Sequence, residues 1–127
     1  MRSILDTSVL LGPSPGKIRG EIAISAVSLA EMHFGVLVAK TDDIRATRLR
    51  RLASIEQTFH ALAVDAPVAR EYGRLAAAVV AAGRKPRARS MNLLIAATAS
   101  AHDARLYTRN PSDLIGLDDI LEIVSVN

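Results

Sequence analysis

Apolar residues arrive in this chain in short blocks, and the spacing inside the blocks changes along it. Ser3-Ile4-Leu5 reads as a short buried strand, and the polar run Asp6-Thr7-Ser8 follows it at once. Gly12-Pro13-Ser14-Pro15-Gly16 is a loop by its punctuation. Ile22-Ala23-Ile24 is apolar and leads into Ser25. Ser28-Leu29-Ala30-Glu31 has the spacing of a capping box, which predicts a helix opening there. Its continuation, Met32–Ala39, is apolar nearly all round, with His33 and the following Lys40 as exceptions. Such a helix should be buried or should meet a partner.

A second helix is predicted from Thr41-Asp42-Asp43, whose acids suit the positive end of a helix. Leu49, Leu52, Ile55 and Phe59 give it one apolar face, with Arg45, Arg48, Arg50 and Arg51 interspersed. Ala61–Val64 reads as a short strand. Asp65-Ala66-Pro67 starts a third helix with Val68, Tyr72, Leu75 and Val79 on one stripe, and Gly83 stops it. The basic stretch Arg84–Arg89 reads as a loop. Ser90 then leads into the apolar helix Leu93–Ala99. Leu106-Tyr107 is a strand, Thr108-Arg109-Asn110-Pro111 a turn, and Leu121–Val126 a closing strand. Short strands alternating with helices imply an α/β fold, with a mostly parallel sheet covered on both faces. No repeat or linker divides residues 1–127, so one domain is expected.

Composition narrows the possible chemistry. Half of the 127 residues are hydrophobic but only 3% are aromatic, so aliphatic residues must fill the core and a base-stacking platform is disfavoured. Cysteine is absent, which excludes disulfides, zinc–thiolate sites and thiol nucleophiles. The apolar stretches Leu75–Ala82 and Leu93–Ala97 fall short of the ~20 residues that span a bilayer, and Asp6 interrupts the first apolar run too early for a signal peptide. A cytoplasmic protein with no membrane partner is therefore expected. The net charge of +3 is mild, but its arginines are clustered and match phosphate or carboxylate geometry.

Mg²⁺ and Mn²⁺ take oxygen ligands, and these can converge from separate strand ends and helix starts. Asp6 follows the first strand, Glu31 sits early in an apolar helix, and Asp113 follows the Tyr107 strand. Asn92 and Asn110 could add carbonyl ligands, and Thr7, Ser8 and Thr108 add hydroxyls nearby. Each also has a plainer use: Asp6, Asn110 and Asp113 in turns, Glu31 in the capping box, Asn92 as a helix cap. The three histidines lack metal-ligand spacing. Arg84, Lys85, Arg87 and Arg89 are either solvated surface or a cationic rim that would attract a phosphodiester backbone.

Four pieces in order resemble the PIN-domain family, and in particular its VapC-type ribonuclease toxins: Ile4–Ser8, Ser25–Glu31, Asn92–Ala99 and Thr108–Asp113. The resemblance covers essentially the whole chain. It implies a three-layer α/β/α fold whose acidic site lies at the ends of parallel strands, and RNA cleavage that depends on Mg²⁺ or Mn²⁺. It also implies a cognate antitoxin as partner and a homodimer. By position it assigns Asp6, Glu31, Asn92 and Asp113 to catalysis and metal binding, with Thr108 and Asn110 in support; the nearby hydroxyls of Thr7 and Ser8 are expected to support the site as well.

Asn92 departs from the pattern, because the family usually carries Asp there. Asn keeps the shape, can still offer a carbonyl to a metal, and loses the charge. Two functions therefore stand side by side: a working metal-dependent endoribonuclease, or a PIN-like module that binds RNA or antitoxin without turnover. A phosphatase of the haloacid-dehalogenase type would want a second Asp two positions after Asp6, where Ser8 stands.

Overall fold

Five short strands form one sheet in the order β3-β2-β1-β4-β5, every neighbouring pair parallel. The computed structural model describes residues 2–127. The strands are β1 (Arg2–Leu5), β2 (Glu21–Ser25), β3 (His60–Leu62), β4 (Arg105–Thr108) and β5 (Ile123–Ser125). In β1 the consecutive residues Ser3, Ile4 and Leu5 are all buried, as a strand covered on both faces requires. Strand order reverses at β1, which lies between β2 and β4. The crevice beyond its carboxyl end is where open parallel sheets bind ligands.

Two helical layers cover the sheet. On one side α4 (Ala66–Ala81) and α5 (Ser90–Ala101) place Val68, Leu75, Val79, Leu93 and Ile95 against Ile4, Ala23 and Leu106. On the other side α2 (Ala26–Leu37) and α3 (Asp42–Thr58) place Met32, Val36, Leu52 and Ile55 against Ile24. Ala23 and Ile24 thus serve opposite cores, because successive side chains on a strand point to opposite faces. A single helical turn, α1 (Thr7–Leu10), follows β1 directly. Its four residues are too few to show a helical period, and the sequence pattern does not reveal it. No helix among the described residues is long and apolar enough to cross a membrane.

Several expectations change in detail. Helix α2 opens at Ala26, not Ser28: Ser25 leaves β2 in extended backbone and its Oγ accepts from the Val27 N–H at 3.1 Å. Ser28 and Glu31 therefore lie inside the helix, their hydroxyl and carboxylate released from capping. The strand expected at Ala61–Val64 is His60–Leu62, because its ladder runs beside Ala23–Ser25 and the chain then turns out to the Asp65 cap. The closing strand shortens to Ile123–Ser125, since Leu121 is still in a turn and donates its N–H to Leu117. Leu49 is 53% exposed, so the buried face of α3 consists of Leu52 and Ile55. The Met32–Ala39 stretch divides: Met32, Val36 and Ala39 are buried, while Phe34 and Leu37 are 66% and 76% exposed. Helix α4 ends as expected, with Gly83 in the left-handed region (φ 78°) and the Arg84 N–H returning to the Val79 carbonyl at 3.0 Å. Within the basic stretch, Pro86–Arg89 forms a 3₁₀ turn.

Candidate active site

Asp6 is the first residue beyond β1, and its backbone is pinned there by its N–H bond to the Tyr107 carbonyl at 3.0 Å. It caps α1, and it is 8% exposed. Its Oδ1 accepts from the Val9 N–H at 3.1 Å and from the Ser8 hydroxyl at 2.5 Å. Both donors reach the same oxygen, so neither holds Oδ2.

A cavity of about 10 Å³ lies beside it, lined by Asp6, Asn92, Ile95, Leu106, Thr108, Asn110, Asp113 and Leu114. That is room for roughly one water or small ion. Three separate elements converge here: the end of β1, the first turn of α5 with Asn92, and the 3₁₀ turn Pro111–Leu114 with Asp113. Asn92 is the third residue of α5, so it does not cap that helix. Its Nδ2 donates to Asp113 Oδ2 at 3.3 Å. Thr108 is buried, and its Oγ1 accepts the Asn110 N–H at 3.0 Å, which fixes the turn that follows β4.

Glu31 stands apart from this cavity. Its Oε1 accepts the Thr7 hydroxyl at 2.6 Å, and Thr7 Oγ1 also lies 2.9 Å from the buried Ser28 Oγ. Glu31 lines a larger groove between α2 and α3, about 440 Å³, together with Leu11, Met32, Gly35, Thr47, Arg48, Arg51 and Leu52. Arg48 donates to the Gly35 carbonyl at 2.6 Å and Arg51 to that of Leu11. Thr7 is thus the link between the Asp6 corner and the Glu31 groove.

Ser25, Ser28 and Thr98 were not among the sequence candidates, yet all three are buried polar residues behind the site. Thr98 donates to the Leu94 carbonyl at 2.9 Å, so the 3.2 Å contact with Ser25 requires Ser25 to be the donor. That bond ties the start of α2 to α5. The available signal was a polar residue at the end of an apolar strand for Ser25, and inside apolar helices for Ser28 and Thr98. Of the four basic residues flagged, Lys85 and Arg87 are exposed. Arg84 is half-buried and donates to the Ser112 carbonyl at 3.0 Å, bracing the turn that carries Asp113; Arg89 is half-buried and returns to the Lys85 carbonyl at 3.2 Å.

The donor set can be tested against a hard divalent ion. Every polar group on the small cavity offers oxygen: the carboxylates of Asp6 and Asp113, the amide carbonyls of Asn92 and Asn110, and the Thr108 hydroxyl. Mg²⁺ characteristically takes one or two carboxylates and keeps several waters, so this set fits it. Among the described residues no three His, Cys, Asp or Glu side chains gather as a metal cluster, which follows from Asn at position 92 and Glu31 in the next groove.

Fold and site together define a class: an α/β/α domain with an oxygen-lined acidic pocket at the carboxyl ends of a parallel sheet. The family model described as the PIN domain matches residues 3–114, and the chain belongs to that family. It is 37% identical over 131 residues to Ribonuclease VapC5 of Mycobacterium tuberculosis, covering 97% of this chain and 94% of that protein. It is 31% identical to Ribonuclease VapC4 of the same organism, covering 98% and 97%. The crystal structure of VapBC-5 from Mycobacterium tuberculosis, a member of the VapBC family of toxin–antitoxin systems, superposes with a TM-score of 0.87 at 36% identity, covering 98% of each chain. FitAcB from Neisseria gonorrhoeae superposes with a TM-score of 0.80 at 25% identity, covering 97% and 96%.

Proposed function

We propose that this chain is the toxin of a toxin–antitoxin pair, an endoribonuclease that hydrolyses RNA phosphodiester bonds with Mg²⁺ or Mn²⁺. The observation that carries the reading is the oxygen-lined cavity of Asp6, Asn92 and Asp113 at the end of β1, in a PIN-domain chain. The 37% identity to a protein named as a ribonuclease supports it. A divalent ion held there supplies activation of a water and stabilisation of charge on the scissile phosphate. Asp6 would be its chief ligand, its carboxylate held by Ser8 and Val9 through Oδ1. Asn92 and Asp113 complete the set, with Glu31 acting from the neighbouring groove under the hold of Thr7. Lys85 and Arg87, whose side chains make no hydrogen bond or ion pair among the described residues, attract the RNA backbone, while Arg84 and Arg89 shape the segment that presents them. The exposed Phe34, Leu37 and Val38 and the adjoining α2–α3 groove form the surface for an antitoxin segment. The protein works in the cytoplasm as a homodimer.

A specific observation favours a second reading. Only two carboxylates line the cavity, and the Asn92 amide spends a proton on Asp113. A module that binds RNA or antitoxin without turnover would look the same.

One assay separates the two. Total cellular RNA is incubated with Mg²⁺ or Mn²⁺ and this chain, Asp6→Ala, Asn92→Asp, or Asp6→Ala/Asn92→Asp. Discrete cleavage by this chain, abolished by Asp6→Ala, establishes the nuclease with Asn92 as a working ligand. Cleavage gained only with Asn92→Asp, and lost again with Asp6→Ala, establishes the site with Asn92 as its disabling residue. No cleavage by any form with either ion defeats the nuclease reading.

A further inference from the structure

Arg109 follows β4 directly and is half-buried, yet the acidic-site chemistry above makes no use of it. Its guanidinium joins segments far apart in sequence. Nη2 donates to the Pro13 carbonyl at 2.6 Å, and Nη1 donates to the backbone carbonyl of Asn127. Its Nε is buried with no hydrogen-bond partner among the described residues. Gly12 completes the seat: a Cβ there would lie 2.6 Å from Arg109 Nε and 3.2 Å from the Ser8 carbonyl oxygen.

The backbone of the same residue touches the site. The Arg109 N–H donates to Ser8 Oγ at 3.0 Å, and Ser8 Oγ donates to Asp6 Oδ1 at 2.5 Å. Because the serine oxygen takes an N–H on one lone pair, its single proton is directed onto Asp6. The order of that hydroxyl depends on where the Arg109 backbone sits. The fork fixes that position from the far side, against the loop after α1.

We infer that Arg109 is a positioning residue: its guanidinium, seated on Gly12 and forked between Pro13 and Asn127, sets the backbone N–H that holds the Ser8 hydroxyl on Asp6. The inference rests on the proposal that Asp6 is the chief ligand of the site. The consequence is that cutting the clamp loosens the Asp6 carboxylate without disturbing the distant core. The conservative change to Lys keeps the charge but gives up the fork, since one ammonium cannot present two fixed, parallel donors.

The test is residue-resolved amide hydrogen exchange on this chain and on Arg109→Ala, Arg109→Lys and Gly12→Ala. The amides watched are those of residue 109, which donates to Ser8, and Val9, which donates to Asp6. Leu75 in α4 is the reference. Arg109→Ala and Gly12→Ala should speed exchange at both amides about tenfold, the scale of loosening one hydrogen bond, with Leu75 unchanged. Arg109→Lys should recover part of the protection. Unchanged exchange at both amides overturns the inference, and so does an equal acceleration at Leu75, which would make Arg109 a general brace. Where RNA cleavage is measurable, Arg109→Ala should lower kcat with KM unchanged; a change confined to KM also overturns it. Failure of every form to cut RNA defeats the nuclease proposal, while the exchange data still decide the clamp.

Discussion

Asn92→Asp changes one atom type and reverses the electrostatics of the cavity. At present the Asn92 amide donates to Asp113 Oδ2 at 3.3 Å. The variant removes that donor and sets a second carboxylate in its place. Two like charges at about 4 Å repel by roughly 1 kcal/mol in water and by about 4 kcal/mol at the effective dielectric of a protein surface. Asn92 and Asp113 are both partly exposed, so the cost should fall inside that range. Without a divalent ion, the variant should therefore unfold about 1–4 kcal/mol more easily in urea at pH 7 with a chelator present. Adding Mg²⁺ should narrow that gap. The extra charge strengthens cation binding, and a ligand that binds only the folded state stabilises it by about 2.7 kcal/mol at a hundred times its Kd. The assay is thus four urea curves: two proteins, each with chelator and with Mg²⁺. A variant as stable as this chain in chelator would refute the claim that the amide–carboxylate bond holds this corner together. A variant that Mg²⁺ stabilises no more than it stabilises this chain would refute the claim that position 92 faces the ion.

Three further changes probe the frame around the site. Thr7→Val keeps the side-chain shape but removes the hydroxyl that donates to Glu31, and should cost about 1–3 kcal/mol in a urea titration and reduce any RNA cleavage. Leu75→Ala opens a void in the fully buried core under α4 and should cost about 2–5 kcal/mol with no effect specific to the site. Glu71 is held below its usual carboxylate pKa by its hydrogen bond from Ser100 and then by Arg74. A lowered folded pKa stabilises the protein above the unfolded value, and the gain is lost as pH falls through the folded one. Glu71→Gln should accordingly flatten part of the acid limb of urea stability measured from pH 7 down to about pH 3.

How much of this could be read in the sequence depended on whether a residue's local pattern allowed one use or two. Asp65-Ala66-Pro67 allows essentially one, and Asp65 caps α4 by accepting from the Val68 N–H at 3.2 Å. Thr41 caps α3 in the same way, accepting from Ile44 at 3.1 Å. Ser28-x-x-Glu31 allows two, because residues three apart both close a capping box and share one face of a helix interior. The structure takes the second use, since Ser25 comes straight off β2 and claims the cap. Once Glu31 lies in the second turn, its carboxylate is carried to the Thr7 hydroxyl and the α2–α3 groove. The Ile22–Ile24 run had no alternation to mark it as a strand, because both faces of β2 meet core. Its place in the middle of the sheet is legible only through pairing with β1 and β3.

The same reasoning explains why the sequence suggests a role for Asp6 but none for Arg109. A carboxylate one residue beyond an apolar strand carries its own local meaning, whichever of its uses is right. An arginine inside a turn carries none: its role depends on Pro13 and Asn127, which are its neighbours only after β1 and β4 have paired. The order of events follows from the register. Leu5 opposite Tyr107 places the Asp6 N–H on the Tyr107 carbonyl, which brings Ser8 under the Arg109 amide. Only then can the guanidinium meet the loop at Gly12. The Asp6–Ser8–Arg109 corner of the site is therefore a consequence of one strand pairing, and a change that slips β1 against β4 by a single residue should scatter these three residues together, since such a slip turns every side chain to the opposite face.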